Sequence, residues 1–323
     1  MSQSPALATY ELLDHHPTDD DLEAEILRGL SAPQKALPPK LFYDKRGSLL
    51  FEDICELPEY YPTRVESQIM VNCIDELVQY IGPEASLIEF GSGASAKTRI
   101  LLDSLQDLAA YVPVEISRAH LKDVSKTLQQ DYPGLDIRPV CADFTKPFKL
   151  PSPTIPPLRN IVYFPGSTIG NFDLDDAIGL LRVMRQIAGV GGGLLIGVDL
   201  KKDKGILEAA YNDAQGVTAD FNMNMLIRLN REFDANFDLE TFHHQAPYLE
   251  DQGRIEMHLV SDREQQVSVA GETFAFGKGE SIHTESSHKY DLAEFADIAG
   301  FADFRVEQVW TDPDNLFSVQ YFV

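Results

Sequence analysis

Residues 87–98 read Leu87-Ile88-Glu89-Phe90-Gly91-Ser92-Gly93-Ala94-Ser95-Ala96-Lys97-Thr98. An apolar strand runs into a turn of small residues, and a helical pattern follows at once. Glycine permits both a tight turn and a close backbone approach that a side chain would block. At the carboxyl end of a parallel strand, such a turn is where open α/β sheets bind nucleotide-like ligands.

Three nucleotide readings separate on chemistry. A phosphate-binding P-loop needs a second Gly immediately before its Lys-Ser/Thr pair, and Ala96 stands there. The dinucleotide fingerprint needs a third Gly at the same place, although Ala sometimes replaces it. Glu89 before the first Gly, a short G-x-G and no phosphate apparatus suit S-adenosylmethionine better. That ligand carries a sulfonium and an amino acid but no phosphate.

The neighbouring segments extend the pattern. Residues 110–116 form a second expected strand, and its Glu115 lies about 24 positions after Gly91, near the ~20-residue spacing at which an acidic side chain meets ribose hydroxyls. A third expected strand, 137–142, ends at Asp143-Phe144, a carboxylate for an adenine amine and a wall for its ring. A fourth, 160–164, leads into Pro165-Gly166-Ser167-Thr168-Ile169-Gly170-Asn171, and a fifth covers 194–200. Helical patterns at 98–108 and 175–187 alternate with them, which predicts a parallel, doubly wound, Rossmann-like α/β sheet.

The rest of the chain predicts a second, smaller α+β lobe. A helical stretch at 204–230 precedes alternating segments at 254–260, 266–269, 272–276 and 281–287. A helix at 291–299 and strands at 304–311 and 317–322 then return to the first sheet. The expected division is 61–200 with 286–323 for the cofactor domain, and 8–60 with 201–285 for the substrate lobe. A cleft between two lobes is a usual place for a substrate.

Composition limits the partners. The chain has 323 residues, 44% hydrophobic and 24% charged, with a net charge of −24. Such a surface repels nucleic-acid backbones and anionic membranes. No apolar run approaches the ~20 residues that span a bilayer, and the first residues carry no secretory pattern. Three scattered cysteines suggest a reducing, cytoplasmic setting. The adjacent pairs His15-His16 and His243-His244 lack metal-ligand spacing, so no metal is expected.

The ordered set Leu37-Pro38-Pro39-Lys40, Phe42-Tyr43-Asp44, residues 57–64, 89–93, 166–171 and 284–287 resembles the L-histidine-specific Nα-methyltransferases, which make hercynine in ergothioneine biosynthesis. The resemblance covers nearly the whole chain. It implies a class I S-adenosylmethionine-dependent methyltransferase with a substrate lobe and three successive transfers to the α-amine of free L-histidine; a monomer is expected. It places Gly91, Lys97, Glu115, Asp143 and Phe144 at the cofactor, with Lys97 reaching the methionine carboxylate. Glu115 replaces the family's usual Asp. Asn171 and Tyr211 are implied at the amino-acid carboxylate, Tyr43 and one of Tyr60 or Tyr61 near the amine, Met257 as a side wall, and Glu285 with Ser287 at the imidazole. Tyr43 and Asn171 are the implied catalytic pair. Rings from Tyr43 and Phe51 would favour the growing cation.

The Glu285–Ser287 assignment also has a physical basis. Residues i and i+2 of a strand share a face, and an acceptor beside a hydroxyl can engage both imidazole nitrogens. Rival readings are the same fold acting on another amino acid such as tryptophan or on a partly methylated histidine, a dehydrogenase, or a non-catalytic cofactor-binding or scaffold protein. Glu285 argues against a purely apolar indole pocket.

Overall fold

The computed structural model describes residues 12–15, 22–91 and 96–323. The turn residues Ser92 to Ser95, and with them Gly93, lie outside the described residues. Leu13–Asp14 (β1) is followed by helix Leu22–Leu30 (α1), strand Lys35–Ala36 (β2), a 3-10 turn at Pro39–Phe42, and helices Lys45–Glu56 (α2) and Tyr61–Ile81 (α3). Asp44 caps α2, accepting the Gly47 N–H at 2.7 Å. Pro62 sits in the first turn of α3, where its missing N–H has no intrahelical partner to lose.

Strand and helix then alternate: Ala85–Phe90 (β3), Ala96–Ser104 (α4), Ala110–Glu115 (β4), Arg118–Asp131 (α5), Val140–Cys141 (β5), Arg159–Phe164 (β6), Leu174–Ala188 (α6) and Gly193–Asp199 (β7). Every residue of β3 and of β7 is buried. Parallel strands covered on both faces require that continuous apolar run. The strand expected at 137–142 is shorter, with only a bridge from Tyr111 to Ile137 before β5. Pro139 has no N–H to give a ladder, which accounts for the interruption.

The chain next leaves the sheet through Lys204–Tyr211 (α7) and Val217–Glu232 (α8). The single helical stretch expected at 204–230 is thus broken. Gly216 takes φ +77°, and the Asp213 carboxylate accepts the N–H groups of Val217 and Thr218 at 2.9 and 2.8 Å, starting a new helix. Strands Phe242–Gln245 (β8), Tyr248–Leu249 (β9) and Arg254–Ser261 (β10) follow. The hairpin Gln265–Val269 (β11) and Glu272–Phe276 (β12) leads to Ser281–His288 (β13). Leu292–Gly300 (α9), Val306–Thr311 (β14) and Phe317–Phe322 (β15) complete the chain.

Eight strands form the large sheet in the order β1-β5-β4-β3-β6-β7-β15-β14, with β15 antiparallel to β7. The strand order reverses around β3, so Gly91 marks the topological switch point. A smaller sheet runs β2-β13-β10-β8, with β9 added to β10. Two details differ from the expected division. β1 lies in the large sheet, and β13 runs through position 285/286 while pairing with β10 and β2. Apolar clusters cover both faces of the large sheet, and a separate cluster including Phe42, Phe221 and Met257 packs the smaller one. The two sheets meet where the turn Thr168–Asn171 crosses β13. A Cβ on Gly170 would stand 2.7 Å from the His288 carbonyl oxygen, so only glycine permits this approach. No helix among the described residues is long and apolar enough to cross a membrane.

Candidate active site

The residues expected at the cofactor gather at the carboxyl ends of adjacent strands. Gly91 follows β3 with φ +72°, and its N–H bonds the Val114 carbonyl at 3.0 Å. A Cβ there would only touch Phe144 at 3.9 Å, so the backbone angle, rather than space, demands glycine. Glu115 closes β4. Its Oε1 accepts the N–H groups of Ile116 and Ser117 at 2.8 and 3.1 Å, and Oε2 has no hydrogen-bond partner among the described residues. Burial raises its pKa. Asp143 accepts the Thr145 N–H at 3.0 Å and pairs with Lys146 at 3.2 Å. Burial alone would raise its pKa, but these hydrogen bonds outweigh it and hold the carboxyl below its ordinary value. The Phe144 ring lies 5.4 Å from Phe90 and 5.8 Å from Phe164. A half-satisfied carboxylate, a ring and a positive-φ glycine on adjacent strand ends fit a ribose, an adenine and the chain joining them.

Lys97 has a protein partner that the sequence reading did not include. Its ammonium lies 2.5 Å from the buried Glu66 carboxylate of α3, which also accepts the Gly166 N–H at 2.9 Å. Glu89 is likewise buried inside β3. It accepts Thr98 Oγ1 at 2.9 Å and the Tyr111 hydroxyl at 2.5 Å, and burial pushes its carboxyl up to about 7.

A cavity opens between the turn after β6 and the smaller sheet. Tyr43, Phe51, Tyr60 and Phe221 form an aromatic wall: Tyr43 lies 6.1 Å from both Phe51 and Phe221, and Phe51 lies 6.4 Å from Tyr60. Phe221 is stacked on Phe42 at 4.4 Å, which fixes the back of that wall. Asn171 and Gly166 to Thr168 line the opposite side. Glu285, Ser287 and Lys289 project from β13 and the residue beyond it, with Tyr211 and Asp199 beside them.

The adjacent tyrosines separate here. Tyr60 lines the cavity, whereas Tyr61 is buried behind it. The Tyr61 hydroxyl donates to Asp199 at 2.7 Å and accepts from Lys202 at 2.6 Å. Met257, expected as a side wall, pairs with Glu285 across the β10–β13 ladder but does not line the cavity; it packs in the core of the smaller lobe. Tyr211, expected beside Asn171 at a carboxylate, lines the same cavity as Asn171, and its hydroxyl donates to Ser287 Oγ at 2.8 Å.

Lys289, Asp199 and Phe221 are wall residues that the sequence reading did not select. Period-two spacing after Glu285 and Ser287 points straight to Lys289. The Lys289 ammonium contacts Asp199 Oδ2 at 2.7 Å, Ser287 Oγ at 2.8 Å and the Tyr211 hydroxyl at 3.0 Å. Burial works against that charge, but Asp199 outweighs it and holds the Lys289 pKa above the ordinary lysine range. Lys202 also pairs with Asp199, at 2.6 Å, yet burial pushes it down to about 8. The Glu285 carboxylate has no hydrogen-bond partner among the described residues, and burial raises it to about 7 while Lys289 opposes the shift. An acceptor, a hydroxyl and aromatic faces thus surround one small space, a set suited to a polar heteroaromatic amino acid.

Residues 22–323 match the family described as histidine-specific methyltransferase, SAM-dependent. The histidine N-alpha-methyltransferase of Mycolicibacterium smegmatis is 40% identical over 98% of this chain and 99% of its own. That of Mycobacterium tuberculosis is 39% identical over 92% and 93%. Among solved structures, an S-adenosylmethionine-dependent methyltransferase from Clostridium acetobutylicum aligns with a TM-score of 0.47 and 10% identity, over 80% of this chain and 92% of that one. With the family model spanning residues 22–323 and relatives of 39–40% identity over nearly the whole chain, the chain belongs to the histidine-specific, S-adenosylmethionine-dependent methyltransferase family.

Proposed function

We propose that this protein transfers three methyl groups in succession to the α-amine of L-histidine, giving hercynine for ergothioneine biosynthesis. The observation that carries the reading is the juxtaposition of Glu285 and Ser287 on one face of β13, inside an aromatic-walled cavity. Gly91, Glu115, Asp143 and Phe144 would hold the cofactor at the switch point. When bound, S-adenosylmethionine supplies a methyl group on a sulfonium, an already activated donor.

The protein's own part is alignment. Glu285 and Ser287 hold the imidazole. The Asn171 amide, on the turn that also touches β13, faces the same cavity and orients the amino-acid end of the substrate. Tyr43 and Tyr60 border the amine, and their rings with Phe51 favour the cationic headgroup that accumulates as methyl groups are added. The burial of this pocket strengthens each polar contact by excluding water. The setting belonging to this reading is cytoplasmic, with a monomer acting on free histidine; the net charge of −24 speaks against an anionic macromolecular substrate.

The test is a competition between histidine and tryptophan, read by mass spectrometry for wild type and Glu285→Ala. The variant should lose roughly 2–4 kcal/mol of histidine binding, because a charge-assisted hydrogen bond disappears from a desolvated pocket. Its S-adenosylmethionine affinity should be unchanged. An unaltered preference for histidine would show that Glu285 does not read the ring.

A further inference from the structure

The hydrogen-bond inventory around Ser287 contains more information than its position. A lysine ammonium has three N–H donors and no acceptor. All three of Lys289 are used, on Asp199 Oδ2, Ser287 Oγ and the Tyr211 hydroxyl oxygen. Asp199 keeps the ammonium in place and is itself fixed by the Tyr61 hydroxyl and by Lys202. The Tyr211 hydroxyl accepts from Lys289 and donates onward to Ser287 at 2.8 Å. Ser287 Oγ therefore receives two hydrogen bonds. A serine hydroxyl has two acceptor sites and one proton, so only the proton remains for a ligand.

We propose that Lys289 is a positioning residue that, with Tyr211, makes Ser287 a hydrogen-bond donor to the cavity and thereby sets ring specificity. This rests on the histidine reading above and deepens it. Glu285, two residues away on the same face, has no partner among the described residues and presents an acceptor. The pair demands a ring with one acceptor atom toward Ser287 and one N–H toward Glu285. A neutral imidazole meets both demands in one tautomer. An imidazolium offers two donors, so its second N–H faces the Ser287 proton. A ring with an N–H but no acceptor leaves that proton unsatisfied. A buried polar group left unpaired is what makes such discrimination strong.

The discriminating probe is the pyrrole analogue of histidine, in which one ring nitrogen is replaced by CH so that an N–H remains without an acceptor. Titration calorimetry with S-adenosylhomocysteine present compares the two amino acids. Wild type should prefer histidine by roughly tenfold or more, as expected for one unsatisfied buried hydroxyl. Lys289→Met frees a lone pair on the Tyr211 oxygen, and Lys289→Gln places an amide carbonyl beside Ser287, so that in either variant the Ser287 proton can turn away from the cavity to an acceptor. In each variant the preference should shrink to within about threefold, with cofactor affinity retained. A purely structural loss would weaken both amino acids alike and leave their ratio unchanged.

Circular dichroism establishes whether each variant folds, and Lys289→Gln decides alone if Lys289→Met does not. A preference that stays at the wild-type value in the folded variants overturns the role of Lys289. Wild-type protein that binds histidine no better than the pyrrole analogue overturns it as well. Wild-type protein that binds neither amino acid overturns the histidine reading itself, a result that is distinguishable from both.

Discussion

The Glu66 carboxylate lies 2.5 Å from the Lys97 ammonium, and both side chains are buried, at 1% and 9% exposure. Glu66 belongs to α3, Lys97 to α4 directly after the cofactor turn, and the same carboxylate accepts the Gly166 N–H of the turn carrying Asn171. One acidic side chain therefore ties α4 to the turn that lines the cavity. A Cβ on Gly197 would stand 2.0 Å from Glu66 Oε1, so β7 also leaves room for this arrangement.

Removing one member of that pair leaves an uncompensated buried charge. Glu66→Ala should lower stability by about 3–5 kcal/mol. Adding Lys97→Met should restore a large part of the loss, because the stranded ammonium is then gone. Urea denaturation of both variants measures this. An additive double variant would show that the two charges do not depend on each other.

Glu115 gives a separate test of the cofactor side. Its Oε1 is occupied by two backbone N–H groups, which leaves Oε2 without a hydrogen-bond partner among the described residues. Glu115→Ala should weaken S-adenosylmethionine by about 1–3 kcal/mol and leave the fold intact. Calorimetric titration of the folded variant checks it; unchanged affinity would remove Glu115 from the site.

Glu285 carries a pH signature. Its carboxyl is raised from 4.5 to about 7 by burial. Between those values the native protein holds a proton that the unfolded chain has lost, so this group's favourable contribution is present below about 4.5 and is lost as pH rises through 7. In the absence of substrate, Glu285→Gln should flatten the fall in stability across that window. Thermal unfolding at several pH values measures it. A variant whose stability falls as steeply as wild type would place the carboxylate in water.

The large sheet was legible because parallel strands buried on both faces leave nearly continuous apolar runs, as in β3 and β7. The strand-end positions of Gly91 and Glu115 follow from those same apolar runs. The smaller lobe was less legible. Its break between α7 and α8 depends on the left-handed Gly216 and on Asp213 reaching two N–H groups, which local helical periodicity does not register. The choice between Tyr60 and Tyr61 was hidden for another reason: it depends on Asp199, far along the chain, capturing one hydroxyl. Met257 shows the limit of carrying a role across by motif, since its strand position neighbours Glu285 while its side chain packs into the core.

Product analysis tests the central claim most directly. Purified protein is incubated with L-histidine and S-adenosylmethionine, and the product is examined by mass spectrometry with fragmentation to locate the added groups. The account predicts histidine heavier by three methyl groups, all on the α-amine. Methyl groups on the ring nitrogens, or no methylated histidine while S-adenosylmethionine binds normally, would contradict it.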